Sequence, residues 1–247
     1  MIALLKKIDY DRFGNRSQAL GRATGCNPAV FHLISACYSY DANKSMTRVT
    51  KMMEAKTEVE RKTKETAIRV GLKLDGSGQS EISTGIPFFD HMLVLLAVHG
   101  FFDLAVKAKG DLEVDFHHTV EDVGLVLGDA FDQALGNRKG INRFGHAVTP
   151  MDDALAAVSV DLSKRPFLVY HIPSFQPSGS AFNVTLAKEF FRAFATRGGL
   201  NLHINVSYGE NEHHIIESIF KALGRALDQA ASMDKRISDV RSSKGTL

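Results

Sequence analysis

Apolar and polar residues alternate over residues 66–74, with Ile68, Val70, Leu72 and Leu74 on one face, which predicts a half-buried strand. Asp75-Gly76-Ser77-Gly78 then supplies a turn. Over 87–99 the pattern becomes helical, with proline in the first turn and Gly100 past the end. Strand-like runs follow at 104–108 and 112–116, then a helix over about 116–135. Further on, 155–161, 167–172 and 202–207 read as strands, and 187–195 and 212–231 as helices. Order begins near Glu60; the stretch before it has glycine and asparagine punctuation and no sustained period.

The second half repeats the first. A shift of 96 residues lays His117, His118, Glu121, Leu127, Gly128, Ala130, Asp132, Gln133 and Ala134 on identical residues, nine matches in eighteen positions. A shared amphipathic pattern explains the apolar matches but not a repeated His-His-x-x-Glu, so a duplicated half-unit is the better account. Strands and helices without clean βαβ alternation predict an α+β fold. Two half-units are expected, about 58–145 and 146–247, each a sheet with helices packed on one face. Residues 1–52 form an extension of unknown role. Its Arg and Ser content suits a transit peptide, which would imply a plastid; Asp9, Asp11 and Asp41 count against one, and a true start at Met52 or Met53 is the alternative.

Composition narrows the function. A chain of 247 residues can bury a core without disulfides or a structural metal, so a metal here would serve chemistry. A net charge of +2 gives no footprint for nucleic acid. The only cysteines, Cys26 and Cys37, lie near the start, which excludes thiolate zinc sites over most of the chain and fits a reducing, cytoplasmic compartment. No apolar run is long enough to span a bilayer, so no membrane partner is expected.

The repeated motif is the candidate chemistry. Asp115 and Asn211 occupy equivalent positions and are favoured N-caps, which would set the histidines in the first two turns of each helix. Thr119 with Asp122 offers a rival start in the first copy only. Residues four apart share a helical face, so His117 and Glu121, and likewise His213 and Glu217, can reach one ion. His118 and His214 are rotated by about 100° and should serve a different ion or one across an interface. His203, on the polar face of its strand, and His91, beside Asp90, are further candidates. Imidazole plus carboxylate fits Zn, Fe, Ni or Mn, and ligand type does not choose among them. Arg143, Arg165 and the C-terminal Arg241-Ser242-Ser243-Lys244-Gly245 could cradle a phosphate, because guanidinium and ammonium groups match its oxygens.

Several segments together resemble imidazoleglycerol-phosphate dehydratases: Arg61-Lys62-Thr63-Lys64-Glu65-Thr66, Gly85-Ile86-Pro87-Phe88-Phe89-Asp90-His91-Met92-Leu93, Asp115-Phe116-His117-His118-Thr119-Val120-Glu121-Asp122, Pro150-Met151-Asp152, Asp161-Leu162-Ser163-Lys164-Arg165-Pro166, and Asn211-Glu212-His213-His214 through Glu217. The likeness runs from about residue 60 to the C-terminus. It implies conversion of imidazole glycerol phosphate to imidazole acetol phosphate in histidine biosynthesis, two Mn2+ per active site, and sites completed between subunits of a 24-subunit homo-oligomer. It implies His91, His117, His118, Glu121, His203, His213, His214 and Glu217 as metal ligands, Glu65 and His99 as catalytic residues, and Arg143, Arg165, Ser243 and Lys244 as substrate contacts. The family pattern Pro-Ser-Thr-Lys-Gly departs here to Arg241-Ser242-Ser243-Lys244-Gly245, which retains the phosphate groups but loses the proline's rigidity.

The expected mechanism runs through the substrate's ring as an imidazolate on a two-metal site, which pushes out the neighbouring hydroxyl, with Glu65 moving the proton. Two other readings use the same residues: a two-metal phosphate-ester hydrolase, and a non-catalytic assembly in which histidines glue subunits together.

Overall fold

The computed structural model describes residues 57–175 and 179–246. The extension over 1–52 lies outside the described residues. Two four-stranded sheets carry the chain. The first has the order β1 (Thr57–Lys62), β2 (Thr66–Lys73), β4 (Asp103–Gly110), β3 (Ser80–Ser83), and the second β5 (Phe144–Met151), β6 (Ala154–Asp161), β8 (Asn201–Tyr208), β7 (Phe167–His171). In both sheets the last-named strand pairs parallel to its neighbour and the other pairs are antiparallel. The described residues form four helices, α1 (Pro87–Gly100), α2 (His117–Leu135), α3 (Val184–Gly198) and α4 (Glu212–Ala231). This is the expected α+β duplication.

The helices pair across the halves. In sequence, α1 and α2 belong to the first sheet. In space, α2 packs on the first sheet and on α3, whereas α1 packs on α4, which covers the second sheet. Two repeated glycines explain these crossings. A Cβ on Gly224 of α4 would lie 2.8 Å from the Leu96 carbonyl and 3.0 Å from the Gly100 amide of α1. A Cβ on Gly128 of α2 would lie 2.8 Å from both the Phe194 carbonyl and the Gly198 amide of α3. Only a residue without a side chain admits backbones this close. Arg138, wholly buried, fastens the α2–α3 pair by donating to the carbonyls of Gly198 (2.6 Å) and Gly199 (3.0 Å).

Three strands escaped the pattern. In β5 the residues facing α4 are Gly145, Ala147 and Thr149, while Phe144, Val148 and Pro150 face out, so the usual polarity is reversed. The inner positions must be small: a Cβ on Gly145 would fall 1.9 Å from the Ala226 carbonyl. Pro150 is tolerated because β5 is an edge strand. β1 and β3 are also edges, rich in charged and hydroxyl residues. The expected strand over 112–116 is instead a turn, with the Val114 amide bonded to the Asp111 carbonyl and Val114 exposed. Its alternation has no neighbouring strand to bury against. α3 starts at Val184, before the expected 187, because Asn183 caps it by accepting from the Leu186 amide at 3.0 Å.

Replacing Gly224 with alanine should destabilise the protein by about 1–2 kcal/mol, since overpacking against fixed backbone exceeds alanine's helix-propensity gain. Chemical denaturation checks this, and a variant as stable as wild type would contradict the crossing described.

Candidate metal centre and anion cavity

The helix starts carry the donors. The Asp115 carboxylate accepts the His117 amide at 2.7 Å, and the Asn211 side chain accepts the His213 amide at 2.9 Å. α2 begins at His117, so the earlier of the two starts is the one adopted. Within each doublet the rings diverge, at 89° for His117 and His118 and 78° for His213 and His214. The first histidine of each doublet turns to its own helix: His213 Nε2 lies 3.1 Å from Glu217, and His117 Nε2 lies 3.5 Å from Glu121.

The α1–α4 crossing adds a third donor to the second pair. His91 Nε2 is 3.7 Å from Glu217 Oε2, and donor atoms of His91, His213 and Glu217 all lie within 4.8 Å of one another. Among the described residues this is the only such three-donor group. Two imidazoles and a carboxylate at that spacing fit a divalent cation, whose bonds to nitrogen and oxygen run about 2.0–2.2 Å. Glu217 is nearly buried. Burial pushes its pKa up, but the hydrogen bond and charge of Lys221, with His213 and His91, outweigh that and hold it low. Lys221 Nζ takes Oε1 at 2.6 Å and leaves Oε2 to the histidines. The spacing Glu217–Lys221 is a readable i, i+4 pair that the sequence reading passed over.

The second histidine of each doublet turns to a carboxylate outside its helix. His118 Nδ1 contacts Asp111 at 3.0 Å and Glu65 at 4.0 Å. The Asp111 hydrogen bond, with help from Glu65, holds the His118 pKa above the ordinary imidazole value. His214 Nδ1 contacts Asp153 at 2.5 Å, and its Nε2 faces Asp152 at 3.6 Å. Asp111 and Asp153 carry no helix period or motif that marks them in the sequence.

The four expected phosphate contacts share one place. Arg143, Arg165, Ser243 and Lys244 line a cavity of about 650 Å³ together with Ser163, Arg241 and Ser242. Arg143 is a brace within it: its guanidinium holds Asp161 at 2.6 and 3.0 Å and donates to the Arg241 carbonyl at 2.6 Å. The tail that lacks the family's proline is thus tied down by Arg143. Arg165 reaches toward Asp161 at 3.6 Å with most of its side chain exposed. The hydroxyl of buried Ser163, in the segment that carries Arg165, has no hydrogen-bond partner.

The cavity and the donors lie at opposite ends of the fold. The Arg143 amide bonds the Ala230 carbonyl near the end of α4, whereas His213 opens that helix. Seventeen residues of helix separate them by about 25 Å. His203 also stands apart from the donors, exposed on the outer face of the second sheet beside Ser159 and Val169. Within one chain it joins none of the other candidate ligands. His99 sits late in α1 beside Lys221 and Arg225. Burial, then these two cations, lower its pKa.

These features define a class: a duplicated α+β protein with a candidate imidazole–carboxylate cation site and a separate basic anion cavity. A family model for imidazoleglycerol-phosphate dehydratase matches residues 84–227. The imidazoleglycerol-phosphate dehydratase of Desulfosudis oleivorans is 61% identical over 195 residues, covering 79% of this chain and 100% of that one. The one from Syntrophobacter fumaroxidans is 59% identical over 189 residues, covering 76% and 96%. The crystal structure of the Pyrococcus furiosus enzyme in complex with (S)-C348 superposes with a TM-score of 0.67 at 39% identity, covering 76% of this chain and 100% of that one. The chain belongs to the imidazoleglycerol-phosphate dehydratase family, and its activity is that of a hydro-lyase of histidine biosynthesis. No helix among the described residues is long and apolar enough to cross a membrane.

Because the folded protein resists protonating His99 while the unfolded chain does not, His99 costs stability as pH falls below about 6.5. The loss ends once the pH passes the lower folded pKa. His99→Gln should flatten this acid-side decline in the thermal midpoint of metal-free protein; an unchanged slope would refute the assignment.

Proposed function

We propose that the chain dehydrates imidazole glycerol phosphate to imidazole acetol phosphate at metal-dependent sites shared between copies, within a catalytic domain spanning 58–247. The three-donor group of His91, His213 and Glu217 carries this reading. A divalent ion held there would lower the N–H pKa of the substrate's ring and favour the imidazolate form. The remaining proposed ligands, His117, His118, Glu121, His203 and His214, complete the shells of two ions, with the two histidines of each doublet serving different ions. The family resemblance extends the reading to two Mn2+ per site, a shell of 24 copies and the cytoplasm.

The separation of donors from the anion cavity supports sharing. A ring with a three-carbon phosphorylated tail spans roughly a third of 25 Å, judged from covalent bond lengths, so the donors of one copy require the cavity of another. The outer face of the second sheet supports it too. Phe144, Val148 and Phe167 lie exposed there around His203, whereas the first sheet's outer face shows Glu60, Arg69, Glu81 and Lys107. Large apolar side chains left exposed on a sheet face favour contact with another chain.

In this site Arg165, Ser243 and Lys244 bind the phosphate, and Arg143 keeps the tail that carries the last two in place. The phosphate's binding energy then fixes the reacting end. Glu65, exposed and 4.0 Å from His118, moves a proton at the leaving hydroxyl or at the neighbouring carbon. His99 orients the substrate.

Metal-loaded protein given imidazole glycerol phosphate should yield ketone without free phosphate. Release of phosphate would favour the hydrolase reading, and no turnover the assembly reading. Elemental analysis identifies the ion, and light scattering gives the copy number. Glu65→Gln should lower kcat by about 100-fold or more with metal retained; a kcat near wild type would remove Glu65 from the mechanism. Copies carrying His213→Ala and copies carrying Lys244→Ala should be inactive alone and regain activity when dissociated and reassembled together. Failure to complement would place both residues in one chain's site.

A further inference from the structure

The duplicated halves can be compared at the carboxylates around their second histidines. Glu65 immediately precedes β2, and Asp153 immediately precedes β6, so the two are structural counterparts. They are used differently. Asp153 Oδ2 accepts the backbone amides of Glu210 at 2.6 Å and Asn211 at 2.9 Å, just ahead of α4, while its Oδ1 faces His214 Nδ1 at 2.5 Å. Glu65 stays 4.0 Å from His118, and in the first half the close contact comes from Asp111, in the turn after β4. Among the described residues, the side-chain hydrogen bonds of Asp111 go to that ring alone, at 3.0 and 3.2 Å.

We infer that Asp111 and Asp153 are positioning residues that fix His118 and His214 with the proton on Nδ1 and the Nε2 lone pair free for a metal ion, and that Asp111, by taking this task in the first half, leaves Glu65 available to the substrate. A carboxylate can only accept from Nδ1, so it selects the Nδ1–H tautomer; such outer partners set ligand orientation and basicity. The inference rests on the proposed metal reading, but the tautomer is a property of the metal-free protein.

The two sites respond differently to an amide. At 153 the backbone amides of Glu210 and Asn211 demand an oxygen, so asparagine must present its NH2 to His214 and force the proton onto Nε2. At 111 no backbone amide holds the side chain, so asparagine can turn its carbonyl oxygen to His118. The experiment uses the full chain and Mn2+ alone, with free Mn2+ followed by electron paramagnetic resonance. Asp153→Asn should weaken binding by about 10–100-fold and Asp111→Ala by about 10-fold, the range typical of lost outer-shell partners. Asp111→Asn should stay within a few-fold of wild type. In 15N spectra of histidine-labelled metal-free protein, Asp153→Asn should move one ring from the Nδ1–H to the Nε2–H tautomer. Unchanged Mn2+ affinity in both Asp153→Asn and Asp111→Ala, or an unchanged tautomer in Asp153→Asn, overturns the inference. Should Asp153→Asn fail to fold, Asp111→Ala decides alone. A wild-type chain that takes up no Mn2+ defeats the metal reading instead, and the tautomer measurement still judges the positioning role.

Discussion

The backbone-to-backbone approach of α1 and α4 at Gly224 is the contact on which the cation site depends. It is a contact between halves. His91 travels on α1, a helix that the sequence assigns to the first half, and meets His213 and Glu217 of the second. Were α1 to stand off by the thickness of a side chain, His91 would leave the group and two donors would remain. The same approach recurs at Gly128, but there it builds something different. Leu96 and Gly100 at the first crossing correspond to Phe194 and Gly198 at the second, a shift of 98 residues. That shift takes His91 to Glu189. The first-half pair, His117 and Glu121, therefore meets no third imidazole. Its surroundings hold Glu189 and Arg192, which are paired with each other, and Arg192 also lies 3.8 Å from Glu121. One duplicated crossing has kept the donors of a cation site, and the other has filled the equivalent place with an ion pair.

Much of this was legible in the sequence because duplication writes itself twice. His-His-x-x-Glu repeated at 96 residues marks residues that a single copy would leave as ordinary helical histidines. The matched Gly128 and Gly224 were visible in the same alignment, although their physical meaning, close helix crossing, needs the partner helices to be seen. The long amphipathic helices were legible for a related reason: α4 buries a continuous stripe, and its bounds follow from the pattern. The strand β5 was not legible, because its inner face is chosen for smallness, as Gly145 shows, and its larger apolar residues point outward. A period of two was present with its polarity reversed.

The outer carboxylates were illegible for another reason. Asp111 and Asp153 lie in turns, where acidic residues are common, and what distinguishes them is only where the fold places them. Asp153 illustrates how much one such group can organise. The His214 ring, followed by the amides of Asn211 and Glu210, holds its pKa far below the ordinary carboxylate value, so it is a fixed negative charge at the start of α4. That position also favours it electrostatically, since a helix N-terminus carries partial positive charge. One side chain thus fastens the helix entry and a candidate ligand at once, which no spacing rule anticipates.

The division of labour along α4 has a structural logic of its own. Carboxylates and imidazoles gather at its first turn and basic groups beyond its last turn, about 25 Å away. Placed side by side in one chain, Arg143, Arg165 and Lys244 would repel a bound divalent ion and would compete for Glu217 and Glu121. Separation lets each end fold with its charges satisfied locally: Glu217 by Lys221, and Arg143 by Asp161. In the shared site proposed above, cation site and anion cavity would meet only when copies assemble, and the charge opposition between them would favour assembly in the correct register. On this view the exposed Phe144, Val148 and Phe167 of the second sheet would supply contact area, whereas the complementary ends would decide which contact forms. The same proposal gives a use to His203, which stands on that outer face away from the other candidate ligands of its own chain.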